Sequence, residues 1–237
     1  QGIGAEMIAD KWGITREDLD AFGARSQQLA ATAADAGRFD REIVPLTVTT
    51  EDGEEVMTRD EGIRPGTSAE SLARLRPAFG PQGTVTAGNA SQISDGAAAL
   101  IVADRSAAEA AGLPIVAEII SYGQVGGADA TLHERPAQAL QIALDRAGMG
   151  PGDLDLIEVN EAFAAVALWS ARMLGLPSER VNPHGGAVAL GHPLGATGAR
   201  IVVTLINGLR ARGGGIGAAT LCGGGGQGDA LIVKVGD

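Results

Sequence analysis

A chain of 237 residues holds one large domain or two small ones. Its 18 basic and 29 acidic side chains leave a formal charge of −11, which argues against nucleic acid, since that binding is driven by neutralising phosphates. One cysteine rules out an internal disulfide; with no apolar run of about 18 residues and no basic leader before an apolar stretch, the expectation is a cytoplasmic protein without membrane contact.

The sequence opens at Gln1 without an initiator methionine and runs directly into a helical pattern, so a truncated or processed chain is expected. Residues 4–36 read as two helices. Ala5, Ile8, Ala9 and Trp12 recur at helical spacing, and Leu19, Phe22, Ser26 and Leu29 form a second stripe. Thr15, followed by Arg16, Glu17 and Asp18, reads as an N-cap with acids in the first turn, and Gly37 as a stop. Residues 42–50 read as a strand, Asp52-Gly53 as a turn, and Glu55-Val56-Met57 as the returning partner. Residues 59–83 interleave Arg, Pro and Gly and read as loop, with a short helix around Ser68–Leu75. Thr84–Ser91 reads as a strand ending in a small-residue turn, Asp95–Val102 as a buried strand, and 105–112 as a short helix.

From Pro114 strand and helix alternate. Strands are expected at Ile115–Val125, Leu156–Val159, 216–222 and 229–235, with helices at 135–148, 162–174 and 195–212. Such alternation implies helices packed on a sheet. The run Ser94–Val102 echoes Gly228–Val233. Chance between Ala/Gly-rich strands and an ancient duplication both account for the echo.

Three loops carry candidate chemistry. Asn160 lies where a short buried strand opens toward a helix; taken alone it reads as a helix cap, with a held ligand or water as the other reading. The segment from Asn182 to Arg200 contains His184 and His192 and feeds the N-terminus of helix 195–212, and a helix N-terminus attracts anions. His184 reads as a loop residue bonded to backbone. His192, held extended by Pro193 and flanked by Gly191 and Gly195, sits in an expensive environment for a merely structural imidazole. The third loop is Leu221-Cys222-Gly223-Gly224-Gly225-Gly226-Gln227-Gly228. Here a strand-ending thiol meets glycine N–H groups that can stabilise a thiolate or an oxyanion. One Cys with scattered His gives no metal-ligand spacing. Because ligands gather at the carboxyl ends of strands in α/β sheets, Asn160, His192 and Cys222 suggest acyl or carbanion chemistry.

The segments Asn160-Glu161-Ala162-Phe163, Gly185–Gly198 and Cys222–Gly228, in this order, resemble the three C-terminal catalytic loops of thiolases, and the likeness extends to Arg74–Phe79 and Gly88–Ser91. The resemblance implies an α/β fold layered α-β-α-β-α from two duplicated halves, only the second complete here. Residues 1–93 would be a coenzyme A-covering loop domain, 94–113 the tail of the N-terminal core, and 114–237 the C-terminal core.

It also implies roles. Cys222 would be the acid/base at the α-carbon of the second acetyl-CoA, with its pKa drawn toward working pH by glycine N–H groups. His192 would activate the nucleophilic cysteine and donate to the thioester oxygen. Asn160 would hold a water at that oxygen, and the Gly224 N–H would serve the oxyanion of the acyl-enzyme. Ser91 and Arg64 would touch coenzyme A, and Ala162 and Phe163 would line the thioester channel.

The reaction implied is condensation of two acetyl-CoA or its thiolytic reverse, with coenzyme A thioester as substrate and no metal or permanently bound cofactor. A degradative 3-ketoacyl-CoA thiolase for longer chains is the alternative, and a non-catalytic acyl-CoA-binding subunit the reading from another class. A ketoacyl synthase fits less well, because those enzymes generally pair the nucleophile with two histidines and Cys222 stands at one of those positions. The implied partners are the N-terminal half that brings the nucleophilic cysteine and further copies in a homodimer or homotetramer. Without a second cysteine, the chain alone is expected to be inactive. The segment Gly126–Pro136, including His133, lacks the family's Met-Gly-x-Gly-Pro pattern, which leaves acyl-chain preference open.

Overall fold

The computed structural model describes residues 1–127 and 134–236; His133 and most of the segment around it lie outside the described residues. Helix α1 (Gly2–Trp12) and helix α2 (Arg16–Asp35) follow the two apolar stripes. Thr15 caps α2: its hydroxyl accepts from the Asp18 N–H while the Asp18 carboxylate accepts from the Thr15 N–H. Strands β1 (Leu46–Thr50) and β2 (Gly53–Met57) form the expected hairpin, although residues 42–45 stay outside it. Two short helices follow, α3 (Ala69–Leu72) and α4 (Arg105–Ala110).

The remainder is a three-layer unit. Strands β3 (Glu118–Gly126), β4 (Leu156–Val159), β5 (Gly215–Gly223) and β6 (Gln227–Val235) make one sheet in the order β3-β6-β5-β4. Only β4 and β5 run parallel; the other neighbours are antiparallel. Helix α5 (Arg135–Ala147) and helix α6 (Ala164–Leu174) cover one face, and helix α8 (Thr197–Ala211) covers the other; the short α7 (Ala187–Leu190) precedes α8.

The layering follows from side-chain spacing. On α5, Ala137, Leu140 and Leu144 recur every three to four residues and are fully buried with Ile157 and Ile232 of the sheet. On α8, Ile201, Leu205 and Leu209 repeat every fourth residue against Leu156, Ala219 and Val233. Gly123 lets α5 lie close on β3, because a Cβ there would fall 2.0 Å from the Ala139 carbonyl oxygen. Helices α1 and α2 join the α5/α6 side through Ile8, Leu19 and Phe22. Trp12 stacks on Trp169 at 3.8 Å between ring centroids, and its indole N–H donates to Glu134.

Two expected strands are absent. Thr84–Ser91 is a loop whose ladder pairing among the described residues is one isolated bridge, Ala90 to Phe163. Side chains capture the N–H groups a strand would use: the Glu6 carboxylate accepts from Thr84 and Val85, and Asn89 Oδ1 accepts from Thr86. Asp95–Val102 is irregular and open to solvent, with Ile101 84% and Val102 73% exposed. A strand needs a neighbour for its backbone groups, and this segment pairs with neither β3 nor β4. Its echo Gly228–Val233 does form strand, inside β6. Among the described residues no helix is long and apolar enough to cross a membrane.

Candidate active site

Three of the predicted residues gather at the carboxyl ends of β4 and β5. The two strands are adjacent and parallel, with Val159 level with Thr220, and the Asn160 N–H continues the ladder to the Thr220 carbonyl at 2.9 Å. Asn160 therefore leaves β4 beside the end of β5 that carries Cys222. Asn160 does not cap the following helix: α6 begins at Ala164 with no side-chain cap. Its amide Nδ2 lies 3.3 Å from His192 Nε2 instead, and its Oδ1 is buried without a hydrogen-bond partner. The capping reading fails because the chain runs three residues beyond Asn160 before the helix starts. The freed carboxamide then meets an imidazole 32 residues away.

His192 is partly buried at the end of the loop that leads into α8. Its N–H donates to the Gln92 carbonyl at 3.2 Å, and its Nδ1 lies 2.7 Å from the Thr197 hydroxyl. Burial, then the charge of Arg200, lowers its pKa, so the ring is neutral near pH 7. His184 is half-buried in the same loop, with its ring 3.4 Å from where a Cβ on Gly208 of α8 would sit.

Cys222 is a buried thiol packed with Ala162, Val166 and Phe163. Burial pushes its pKa up to about 11, opposed only by its own N–H. This corrects the expectation that glycine N–H groups draw the thiol toward neutrality. Gly224 and Gly225 are taken up by the exposed turn between β5 and β6, and Cys222 itself pairs with Gly228 in the ladder. The apolar wall therefore dominates the thiol.

Segment 89–92 ties the parts together. Ser91 N–H donates to the Ala162 carbonyl at 3.1 Å, and Asn89 O accepts from Ala164 at 2.8 Å. Gln92 Nε2 lies within 3.0 Å of the carbonyls of Gly62, Val188 and Ala189. Phe163 meets Phe79 edge to face at 6.2 Å. Arg64 is exposed, yet its N–H donates to Gln27 Oε1 at 2.7 Å, and the same Gln27 side chain donates to Val188 O. Ser91, Ala162, Phe163 and Cys222 thus share one wall, and Arg64 is linked to the His192 loop through α2.

Sequence reading missed the polar support beneath this site. Glu161 is fully buried and accepts from Ser26 at 2.7 Å, Asn182 at 2.8 Å and the Val188 N–H at 3.0 Å. Gly186 makes room for it, since a Cβ there would lie 2.3 Å from the Glu161 carboxyl carbon. The one available signal is a carboxylate directly after Asn160, in a stretch whose remaining residues apart from Glu158 are apolar.

A second acidic group surrounds Arg200, whose Nη1 is 4.0 Å from Glu158, while Thr204 donates to Glu42 at 2.7 Å. Burial raises Glu42 to about 7 and Glu158 to about 8, from the usual 4.5, against the pull of Arg200. Both folded values lie above the unfolded one. Their contribution to stability is therefore full below the unfolded pKa and is lost as pH rises through about 7 and then about 8. The melting temperature is expected to fall from about pH 4.5 to about 8, and Glu158→Gln to flatten that fall; a melting temperature that climbs across the window contradicts the assignment. Among the described residues no group of three His, Cys, Asp or Glu side chains could hold a metal ion.

Comparison with known proteins matches this architecture. A family profile described as "Thiolase, C-terminal domain" covers residues 113–235, and one described as "Thiolase, N-terminal domain" covers residues 1–106. The chain is 52% identical over 237 residues to "Probable acetyl-CoA acetyltransferase" of Mycobacterium leprae (strain TN), covering 99% of this chain and 60% of that protein. The crystal structure of the Bacillus anthracis acetyl-CoA acetyltransferase superposes with a TM-score of 0.95 at 43% identity, covering 99% of this chain and 59% of that one. Human mitochondrial 3-ketoacyl-CoA thiolase in complex with CoA superposes at 0.90 with 39% identity, covering 98% and 58%. The chain thus spans about 60% of the length of the relatives it matches.

Proposed function

Since the chain belongs to the thiolase family and carries its α/β fold, we propose that it supplies the proton-transfer and oxyanion machinery for an acetyl-CoA C-acetyltransferase. The reaction is condensation of two acetyl-CoA to acetoacetyl-CoA or the reverse thiolysis, through an acyl-enzyme on a cysteine outside this chain. The observation that carries the reading is the Asn160–His192 contact at the end of β4, beside the end of β5 that bears Cys222.

Each group has one task. The Cys222 thiolate takes a proton from the α-carbon of the second acetyl-CoA and later returns one. A thioester α-proton is weakly acidic, so the enolate oxygen must be stabilised as the proton leaves. His192, once it has taken the proton of the nucleophilic thiol, donates from Nε2 to that oxygen, and Asn160 positions a water there. The Gly224 N–H serves the oxyanion of the acyl-enzyme. Ala162 and Phe163 line the thioester channel beside Cys222, while Ser91 and Arg64 contact coenzyme A. Supporting these assignments, Ser91 is held on Ala162 and Arg64 on Gln27.

Residues 1–93 serve as the coenzyme-covering domain, 94–113 as the tail of an N-terminal core, and 114–237 as the C-terminal core. An N-terminal thiolase half is the partner we propose to cover the exposed apolar side chains Ile93, Leu100, Ile101, Val102 and Ile119. Homo-oligomerisation, a cytoplasmic setting and a place in fatty-acid metabolism belong to the same reading on family grounds alone. Chain-length preference is tested by relative rates on acetoacetyl-CoA and a medium-chain 3-ketoacyl-CoA.

The 237-residue chain is expected to speed deuterium exchange into the methyl group of acetyl-CoA in heavy water, read by NMR, without forming an acyl-enzyme, read by mass. Exchange at the solution rate under saturating acetyl-CoA overturns the catalytic reading and leaves the non-catalytic binder.

A further inference from the structure

We propose that Thr197 is a positioning residue that keeps the proton of neutral His192 on Nδ1 and leaves Nε2 as the basic nitrogen facing Asn160. The inference rests on the catalytic reading of His192 above, but its test needs no turnover.

Thr197 is the first residue of α8 and is fully buried. Its hydroxyl lies 2.7 Å from His192 Nδ1 and 2.9 Å from the Pro193 carbonyl oxygen. A hydroxyl owns one proton, and a carbonyl can only accept. The Thr197 hydroxyl is placed to donate to the Pro193 carbonyl, which also accepts from the Ala196 and Thr197 N–H groups at 2.9 Å; with its proton there, the oxygen presents a lone pair to the imidazole and Nδ1 is the donor. On the far side of the ring, Asn160 Nδ2 lies 3.3 Å from Nε2 and can only donate, so Nε2 accepts. Two independent contacts select the same tautomer. The opposite tautomer requires Thr197 to abandon Pro193 and the Asn160 amide to turn over.

The consequence for chemistry is directional. A proton arriving at His192 can enter only at Nε2, on the Asn160 side. When it does, the Nδ1–H keeps its acceptor and the imidazolium is stabilised. Because Thr197 sits in the first turn of a helix whose Ile201, Leu205 and Leu209 are buried, its hydroxyl moves little, and the ring orientation is fixed with it.

The test is nitrogen-15 NMR of histidine-labelled full chain, with His192→Gln to assign the signal, on wild type, Thr197→Ser and Thr197→Val. Wild type and the serine variant are expected to carry the neutral proton on Nδ1. The nearly isosteric valine variant is expected to show mixed tautomers and a His192 pKa lower by about one unit, the worth of one ordinary hydrogen bond. A wild-type ring protonated on Nε2, or a valine variant with unchanged tautomer and pKa, overturns the proposal. Should the valine variant not fold, the tautomers of wild type and the serine variant decide. If the functional reading alone fails, acetyl-CoA exchange is absent while the Nδ1 proton remains.

Discussion

Replacing Cys222 by alanine is expected to lower methyl-proton exchange of acetyl-CoA by about 10²–10⁴-fold, the usual contribution of a positioned general base. The substitution removes one sulfur from a wall otherwise made by Ala162, Val166 and Phe163, so binding of coenzyme A is expected to persist. The pH dependence follows from the thiol. Its pKa stands at about 11, so the thiolate is a minor species near neutrality and its share grows with pH. Exchange by the wild-type chain therefore rises from pH 7 toward about 11, and exchange by the alanine variant loses this rise. Equal rates for the two proteins, or a wild-type rate flat across that range, exclude Cys222 as the base. Calorimetric titration with coenzyme A separates lost chemistry from lost binding.

That raised pKa marks where reading the sequence stops. Local signals set most of the frame: Thr15 and Asp18 start α2, Asp52-Gly53 turns the β1–β2 hairpin, and the four-residue repeats of α8 choose its buried face. The three loops were legible because glycine, histidine, asparagine and cysteine are costly choices at strand ends. What escaped depends on partners distant in sequence. Thr84–Ser91 carries a strand's composition, but Glu6, 78 residues earlier, takes its N–H groups. Cys222 has glycines after it, yet its environment is set by Ala162 and Val166 across the strand end. Asn160 has a cap's position and a histidine's company. Ser26 and Glu161 are 135 residues apart, so no local pattern announces their hydrogen bond.

Glu161 is where the largest loss of stability is expected. Its carboxylate faces three donors: Oε1 accepts from Asn182 Nδ2, and Oε2 accepts from the Ser26 hydroxyl and the Val188 N–H. Burial raises its pKa and these three donors pull it back. Asn182 matters twice, because it holds a left-handed φ of 47° and clamps Val159 through both its amide atoms at 2.8 Å. Glu161→Ala strands three buried donors, with an expected loss of about 3–5 kcal/mol.

Glu161→Gln tests the geometry more finely. Its NH₂ on the Oε2 side faces the Val188 N–H, which cannot reverse. On the Oε1 side it faces Asn182 Nδ2, whose amide is pinned by Val159. Either placement sets donor against donor, so glutamine is expected to lose about 1–3 kcal/mol despite its matching shape. Urea unfolding at neutral pH measures both variants. Losses under about 1 kcal/mol for alanine mean that the donors find other partners, and then Glu161 is not what holds the His192 loop to the end of β4.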